Sequence, residues 1–268
     1  MVALLVVALI VGGCAWAAYA VVQSRGESAP PEPTATVAAP KQIRVTLPEG
    51  LTVREMARAA GRASRLITAP GYLRAARNVR LPAGFDRPSS PEGFLFPDTY
   101  FLFETDPAVT LVAKQLENFR SKWGKVDLRY ARSKNLTQYD VLIIASMIEK
   151  EVVVPKERRL VAAVIYNRLH ERMPLGIDAT LRYGLGIPPT EAITKSDLAS
   201  DSPYNSRKFD GLPPTPIANP GLASMQAAAH PAKVDYLYFV RKPDCRSHFF
   251  TASFEEFDAY TRKGLTNC

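Results

Sequence analysis

The stretch Ile143-Ile144-Ala145-Ser146-Met147-Ile148-Glu149-Lys150-Glu151 is almost wholly apolar until it ends in two carboxylates. A helix with so little polar surface belongs inside a fold, so it constrains what must be built around it. The capping box Thr137-Gln138-Tyr139-Asp140 starts it, and the apolar run carries it from Val141 to about Val152. On a helical wheel Val141, Ala145, Ile148 and Val152 form one stripe. Glu149 and Glu151 flank that stripe on opposite sides, and Lys150 points away. A Glu held against apolar neighbours is disfavoured as a charge, which lifts its pKa towards neutral and suits a proton donor. Spacing alone does not choose between the two glutamates. Glu149 stands over Ser146 and Ala145, small residues expected to leave open space before its carboxyl, whereas Glu151 stands over Met147 and Ile148, so room for a substrate favours Glu149.

The run Met1 to Val22 contains no charged residue, and about 20 apolar residues suffice for a helix to cross a bilayer. It reads as a single transmembrane span. The alternatives are a cleaved signal peptide, against which the run continues through Trp16 and Tyr19, and a lipobox at Val11-Gly12-Gly13-Cys14. No Lys or Arg precedes the run, so orientation is not read from charge on that side. Residues 23–41, rich in Pro, Ala, Ser and Thr, form a semi-extended linker. An extracytoplasmic body at the plasma membrane is therefore expected, and there Cys245 and Cys268 either pair or remain thiols. The net charge of +8 is scattered, without basic runs or aromatic RNP-like patterning, which excludes nucleic acid and suits anionic headgroups or cell-wall polymers.

The fold class expected for the exported part is α+β. Residues 42–90 hold an alternating strand (Ile43 to Leu47), a Pro-Glu-Gly turn, a helix from Thr52 through Ala60 and a second from Gly71 to Asn78. Leu47-Pro48-Glu49-Gly50-Leu51-Thr52 resembles the start of a LysM-type glycan-binding module; a subdomain without a ligand is the alternative. Residues 91–268 are expected to be a mostly helical catalytic domain. Its parts are a short aromatic strand within Pro91 to Tyr100, a helix from Pro107 to Trp123 buried through Val109, Val112, Leu116 and Phe119, and the Glu-bearing helix. Next comes a helix from Lys156 to Glu171, then a long loop from Met173 to Pro220 whose hydroxyl, amide and aromatic groups suit a sugar. Asn219 is expected to cap a helix from Gly221 to Ala229, with Pro220 at its first position. Paired strands at Tyr236 to Val240 and His248 to Ala252 precede a helix begun by the capping box Ser253-Phe254-Glu255-Glu256.

No metal site is expected, because His170, His230 and His248 stand far apart with no HExxH or HxH spacing. Nor is there a G-x-S-x-G elbow, a P-loop or a dinucleotide fingerprint, so no cofactor is expected. Carboxylate chemistry on a polymer outside the membrane remains. Five further segments join the Glu-bearing helix: Glu92 to Tyr100, Val164 to Leu169 with Met173-Pro174-Leu175, Asp178-Ala179-Thr180, Ser202 to Asn205, and Gly211 to Gly221. Together, and in this order, they resemble the endolytic murein transglycosylase (YceG-like) family from about residue 43 to 257.

The resemblance implies a single-span inner-membrane enzyme with a LysM-like subdomain, cutting peptidoglycan strands internally near their synthases. It assigns the catalytic role to the first Glu of Glu-Lys-Glu, here Glu149. The chain departs from the family at Gly176-Ile177-Asp178, where a Gln-Thr-Asp is frequent, and at Asp244 to His248, where a Gly-rich turn is usual. Asp178, Thr180, Tyr204, Asn205 and Asn219, with Glu92 and His248 as weaker candidates, are expected to line the glycan cleft; a loop-bracing hydrogen bond is the alternative role for each. The rival functions are a non-catalytic wall-binding protein, marked by a salt-bridged Glu149, and a hydrolytic muramidase using Asp178 or Asp201 as a second acid.

Overall fold

In the computed structural model the described residues are 40–85 and 90–264. The expected span (1–22), nearly all of the linker (23–41) and Cys268 lie outside them. Among the described residues no helix is long and apolar enough to cross a membrane. The chain runs through β1 (Gln42–Leu47), α1 (Val53–Ala63), α2 (Ala69–Arg77), β2 (Asp98–Phe103), α3 (Ala108–Trp123), α4 (Arg129–Ser133) and α5 (Gln138–Glu151). After a 3-10 turn at Pro155–Glu157 come α6 (Arg158–His170), α7 (Asp178–Leu185), α8 (Lys195–Leu198), α9 (Leu222–Ala229), β3 (Tyr238–Arg241), β4 (His248–Thr251) and α10 (Phe254–Arg262).

Two antiparallel ribbons accompany the helices. β1 pairs with β2 from Gln42 opposite Phe103 to Leu47 opposite Asp98, and the alternation of β1 turns Val45 and Leu47 inward. This pairing joins residues on both sides of position 90, the expected subdomain boundary. β3 pairs with β4 as expected from sequence, from Tyr238 opposite Thr251 to Arg241 opposite His248.

The centre is α5. Its capping box forms, with Thr137 accepting from Asp140 N and Asp140 accepting from Thr137 N. Every residue from Val141 to Ile148 is buried, so α5 is walled on all sides, by α6 and α9 among others. Phe94 and Leu95 are fully buried. They belong to a turn rather than a strand, and Phe94 packs 4.9 Å from Phe85 and 5.1 Å from Phe119.

Four expectations are corrected. In α3, Val109 is 55% exposed, and the inward stripe is Leu111, Val112, Gln115, Leu116, Phe119 and Trp123. Buried Gln115 hides the true phase of this stripe: its Oε1 accepts from Tyr72 OH at 2.7 Å, so a polar residue occupies a core position. The long loop contains a helix, α7, whose Gly184 reads as a breaker. There a side chain would meet Tyr204 Cβ at 2.5 Å, so glycine is a packing requirement rather than a helix end. The helix after Asn219 starts later than expected, with Gly221 as its N-cap. In α10 only half of the expected box forms: Ser253 accepts from Glu256 N, while the Glu256 carboxylate takes the Thr251 hydroxyl at 2.5 Å.

Truncating the fully buried Ile144 to Ala should cost about 2–5 kcal/mol, because α5 is packed on every side and the cavity cannot collapse. Urea unfolding should show a lower midpoint at unchanged slope; a loss below about 1 kcal/mol would mean that the enclosure relaxes freely.

Candidate active site

The last two turns of α5 are roofed by the irregular segment Gly211 to Gly221. Four prolines there, Pro213, Pro214, Pro216 and Pro220, carry no N–H, so a mostly buried strip outside any sheet leaves few donors to satisfy. The donors that remain are matched to α5. Ile217 N donates to Ser146 Oγ at 3.0 Å, and Gly221 N donates to Glu149 Oε2 at 2.9 Å. Ala145 and Ser146 are both fully buried, Ser146 beneath the Ile217 N–H, and leave no open space, contrary to the expectation that favoured Glu149. Glu149 itself is half-buried, where the roof ends.

The turn between β1 and α1 closes the other side. Gly50, at φ +79°, is in the left-handed region that glycine tolerates. A side chain there would meet Glu149 Cγ at 3.6 Å. Lys150 Nζ donates to Gly50 O at 3.2 Å. Gly50 N donates to Asn219 O, and Asn219 N to Leu51 O, both at 3.0 Å. Residues 50, 149 and 221 thus meet, although about 70 to 100 positions separate neighbours in sequence.

Asn219 holds this junction. It has no exposed surface; its Oδ1 accepts from Gly93 N and Leu95 N, and its Nδ2 donates to Leu51 O and Glu92 Oε1. Its role is not the expected helix cap but a four-way clamp. Glu92 is equally engaged, accepting from Val53 N at 2.9 Å, Asn219 Nδ2 at 2.8 Å and Tyr183 OH at 3.2 Å. Burial pushes its carboxyl up to about 8, with the Val53 and Tyr183 donors opposing. Tyr183 packs edge-on against Tyr204 at 5.2 Å, and Tyr204 OH bonds Thr215 Oγ1 at 2.8 Å.

The remaining expected residues lie further along the loops. Thr180, fully buried, donates to Ile177 O and bonds Ser206 Oγ. Asn205, also fully buried, donates to Leu198 O and Ser200 O. Asp178, half-exposed, pairs with Arg207 at 2.5 Å. His248 is buried against Glu157, Nδ1 to Oε2 2.8 Å, beneath the β3–β4 ribbon. The structure therefore gathers Glu149, Asn219, Glu92 and, through Tyr183, Tyr204. The polar atoms of Thr180, Asn205, Asn219, Glu92 and His248 are spent on bracing.

Glu151 leaves α5 on the opposite side from Glu149. Burial raises its pKa, Arg241 opposes, Asp178 adds to the rise, and the N–H of Ala179 and Arg207 oppose. The two glutamates of Glu-Lys-Glu are thus turned towards the beginnings of two different helices, α9 and α7. Sequence reading missed Glu49 and Gly221. A side chain on Gly221 would run into the Glu49 carboxylate, so Glu49 closes on the residue whose N–H holds Glu149. The Pro-Glu-Gly turn was visible as a motif, but its meeting with residue 221 has no local signal.

Asn219→Ala should cost upwards of about 2 kcal/mol, because two buried backbone N–H groups lose their acceptor, and urea unfolding would detect it. Glu92 has its pKa raised from 4.5 to about 8 on folding. The folded state therefore holds its proton longer than the unfolded chain. The stability tied to this proton is complete below the unfolded value and is lost as pH rises through about 8. Glu92→Gln should flatten the decline in unfolding free energy between these limits; an unchanged slope would contradict the assignment.

Comparison with known proteins now adds to this geometry. The chain is 38% identical over 151 residues to an endolytic murein transglycosylase of Bacillus subtilis, covering 56% of this chain and 42% of that protein. It is 37% identical over 155 residues to one of Streptococcus pneumoniae, covering 56% and 28% respectively. The chain thus spans less than half the length of these relatives. A crystal structure of a yceG-like protein from Listeria monocytogenes superposes with a TM-score of 0.72 at 28% identity, covering 81% of this chain and 75% of that one. The YceG-like family pattern matches residues 25–263, nearly the whole chain, and the chain belongs to that family.

Proposed function

We propose that the chain is a lytic transglycosylase that cleaves peptidoglycan strands internally, with Glu149 as the single acid and then base. The observation that carries this reading is the setting of Glu149. It stands half-buried at the end of an enclosed apolar helix, and its hydrogen-bond partner is the neutral Gly221 N–H rather than a Lys or Arg side chain. A salt-bridged Glu149 would have favoured a wall-binding protein without catalysis. The names of the relatives from Bacillus subtilis and Streptococcus pneumoniae point the same way.

Protonated Glu149 donates to the oxygen linking N-acetylmuramic acid to N-acetylglucosamine, and the C1–O bond breaks. As a carboxylate it next takes the proton of the muramoyl 6-hydroxyl while that oxygen bonds to C1. The products are a 1,6-anhydro end and a free 4-hydroxyl, and no water is consumed. The N–H of Gly221, N-cap of α9, donates to the carboxylate as its charge develops. Hydrolysis by a pair of flanking carboxylates would need a second free acid. The expected candidates are engaged elsewhere, Asp178 with Arg207 and Asp201 with Lys208.

In the same reading the apolar run 1–22 anchors the chain in the plasma membrane, with the folded part outside and the 42–90 piece acting as a LysM-like grip on glycan. Peptidoglycan synthases are its expected neighbours. The charge of +8 suits an anionic wall.

Incubation of the full chain with peptidoglycan should yield 1,6-anhydro ends by mass spectrometry. Glu149→Gln should lower the rate at least 10²-fold, as expected for loss of a general acid, without loss of fold. Undiminished cleavage by the variant would remove Glu149 from the mechanism, and ordinary reducing ends would indicate a hydrolase.

A further inference from the structure

The net charge of +8 is concentrated in one piece of the chain. Residues 41–85 hold nine Lys and Arg against two Glu, so this piece alone is at +7. Neither Glu offsets its arginines. Glu55 accepts from Thr52 N at 2.8 Å and Thr52 Oγ1 at 2.9 Å in the cap of α1, and Glu49 lies against Gly221. Arg54, Arg58 and Arg62 recur every four residues along α1, on the side away from its buried Val53, Met56, Ala57 and Ala60. Arg74 and Arg77 stand opposite the buried Tyr72 and Ala76 of α2, and Arg80 follows. All six are exposed, and among the described residues none of their side chains has a hydrogen bond or an ion pair.

Folding does not account for this pattern. Cations four residues apart on one helix repel each other, and Arg54 stands in the first turn of α1, where the helix dipole disfavours a positive charge. The choice of Arg suits planar, bidentate recognition of phosphate oxygens. The loop joining the two helices adds exposed Arg65 and Leu66, the latter 59% exposed. A neutral glycan has no use for unpaired guanidinium groups, and a soluble anionic polymer offers Leu66 nothing. A bilayer with anionic headgroups takes up both. We propose that the arginine-bearing surfaces of α1 and α2, with Leu66 at their connection, dock on the anionic phosphate headgroups of the membrane. The inference rests on the run 1–22 being the anchor: this piece is then the first folded part after the linker 23–41, and the tether keeps it beside the bilayer.

The test is amide hydrogen exchange of the full chain in nanodiscs of phosphatidylcholine alone or mixed with phosphatidylglycerol. The anionic discs should slow exchange across Arg62 to Ile67, and about 1 M salt, which screens charges beyond about 3 Å, should reverse the effect. Arg58→Glu combined with Arg62→Glu should cut this protection at least about tenfold, while α5 exchanges as in the wild type and so reports an intact fold. Equal exchange in the two kinds of disc overturns the proposal. Protection by soluble poly(glycerol phosphate) but not by anionic lipid also overturns it, and would assign the arginines to a wall polymer. Slowed exchange in a chain that high salt then strips from the discs would leave the docking surface standing and remove the anchor.

Discussion

A helix that is apolar on every side must be enclosed on every side, and this requirement organises the molecule. From Val141 to Ile148 no residue of α5 reaches solvent, so the flanking helices and the proline-rich segment Gly211 to Gly221 are all committed to covering it. The first residue free of the enclosure is Glu149. The carboxyl is thus placed at a boundary between apolar interior and open surface by the same burial that drives folding. Such a boundary leaves the carboxyl within reach of a substrate.

The cover is made of backbone rather than side chains, which explains the density of amide pairing around the site. A proline-rich strip reduces the number of N–H groups needing partners, and Ser146 and Glu149 accept two of those left. Asn219 then substitutes for a sheet ladder by taking four bonds to two other segments, the turn at Leu51 and the stretch Glu92 to Leu95. Because the clamp is buried, its alignment is held with little freedom, and Glu149, Glu49 and Gly221 inherit that rigidity.

Much of this was legible from local pattern. The Thr137 capping box, the apolar run and the pairing of the final strands each depend on neighbours in sequence or on simple periodicity, and the structure reproduces them. Where tertiary contacts decide, the sequence was misleading. Asn219-Pro220 has the form of a helix start, yet four remote backbone and side-chain groups claim the Asn and move the cap to Gly221. Buried Gln115 disguised the face of α3, and Gly184 disguised α7 as loop. For the candidate site, the position of Glu149 at the end of an enclosed apolar helix was readable from that helix alone. Glu49 was not, since its partner lies 172 positions further on at Gly221 and only folding brings the two together.

The central claim is that the bond is broken by internal attack of the sugar's own hydroxyl, with water excluded and Glu149 moving the proton. The most direct measurement is to digest purified glycan strands with the full chain in heavy-oxygen water and weigh the new ends. The account predicts anhydro ends carrying no solvent oxygen. Solvent oxygen at C1 of the new muramoyl ends would contradict it.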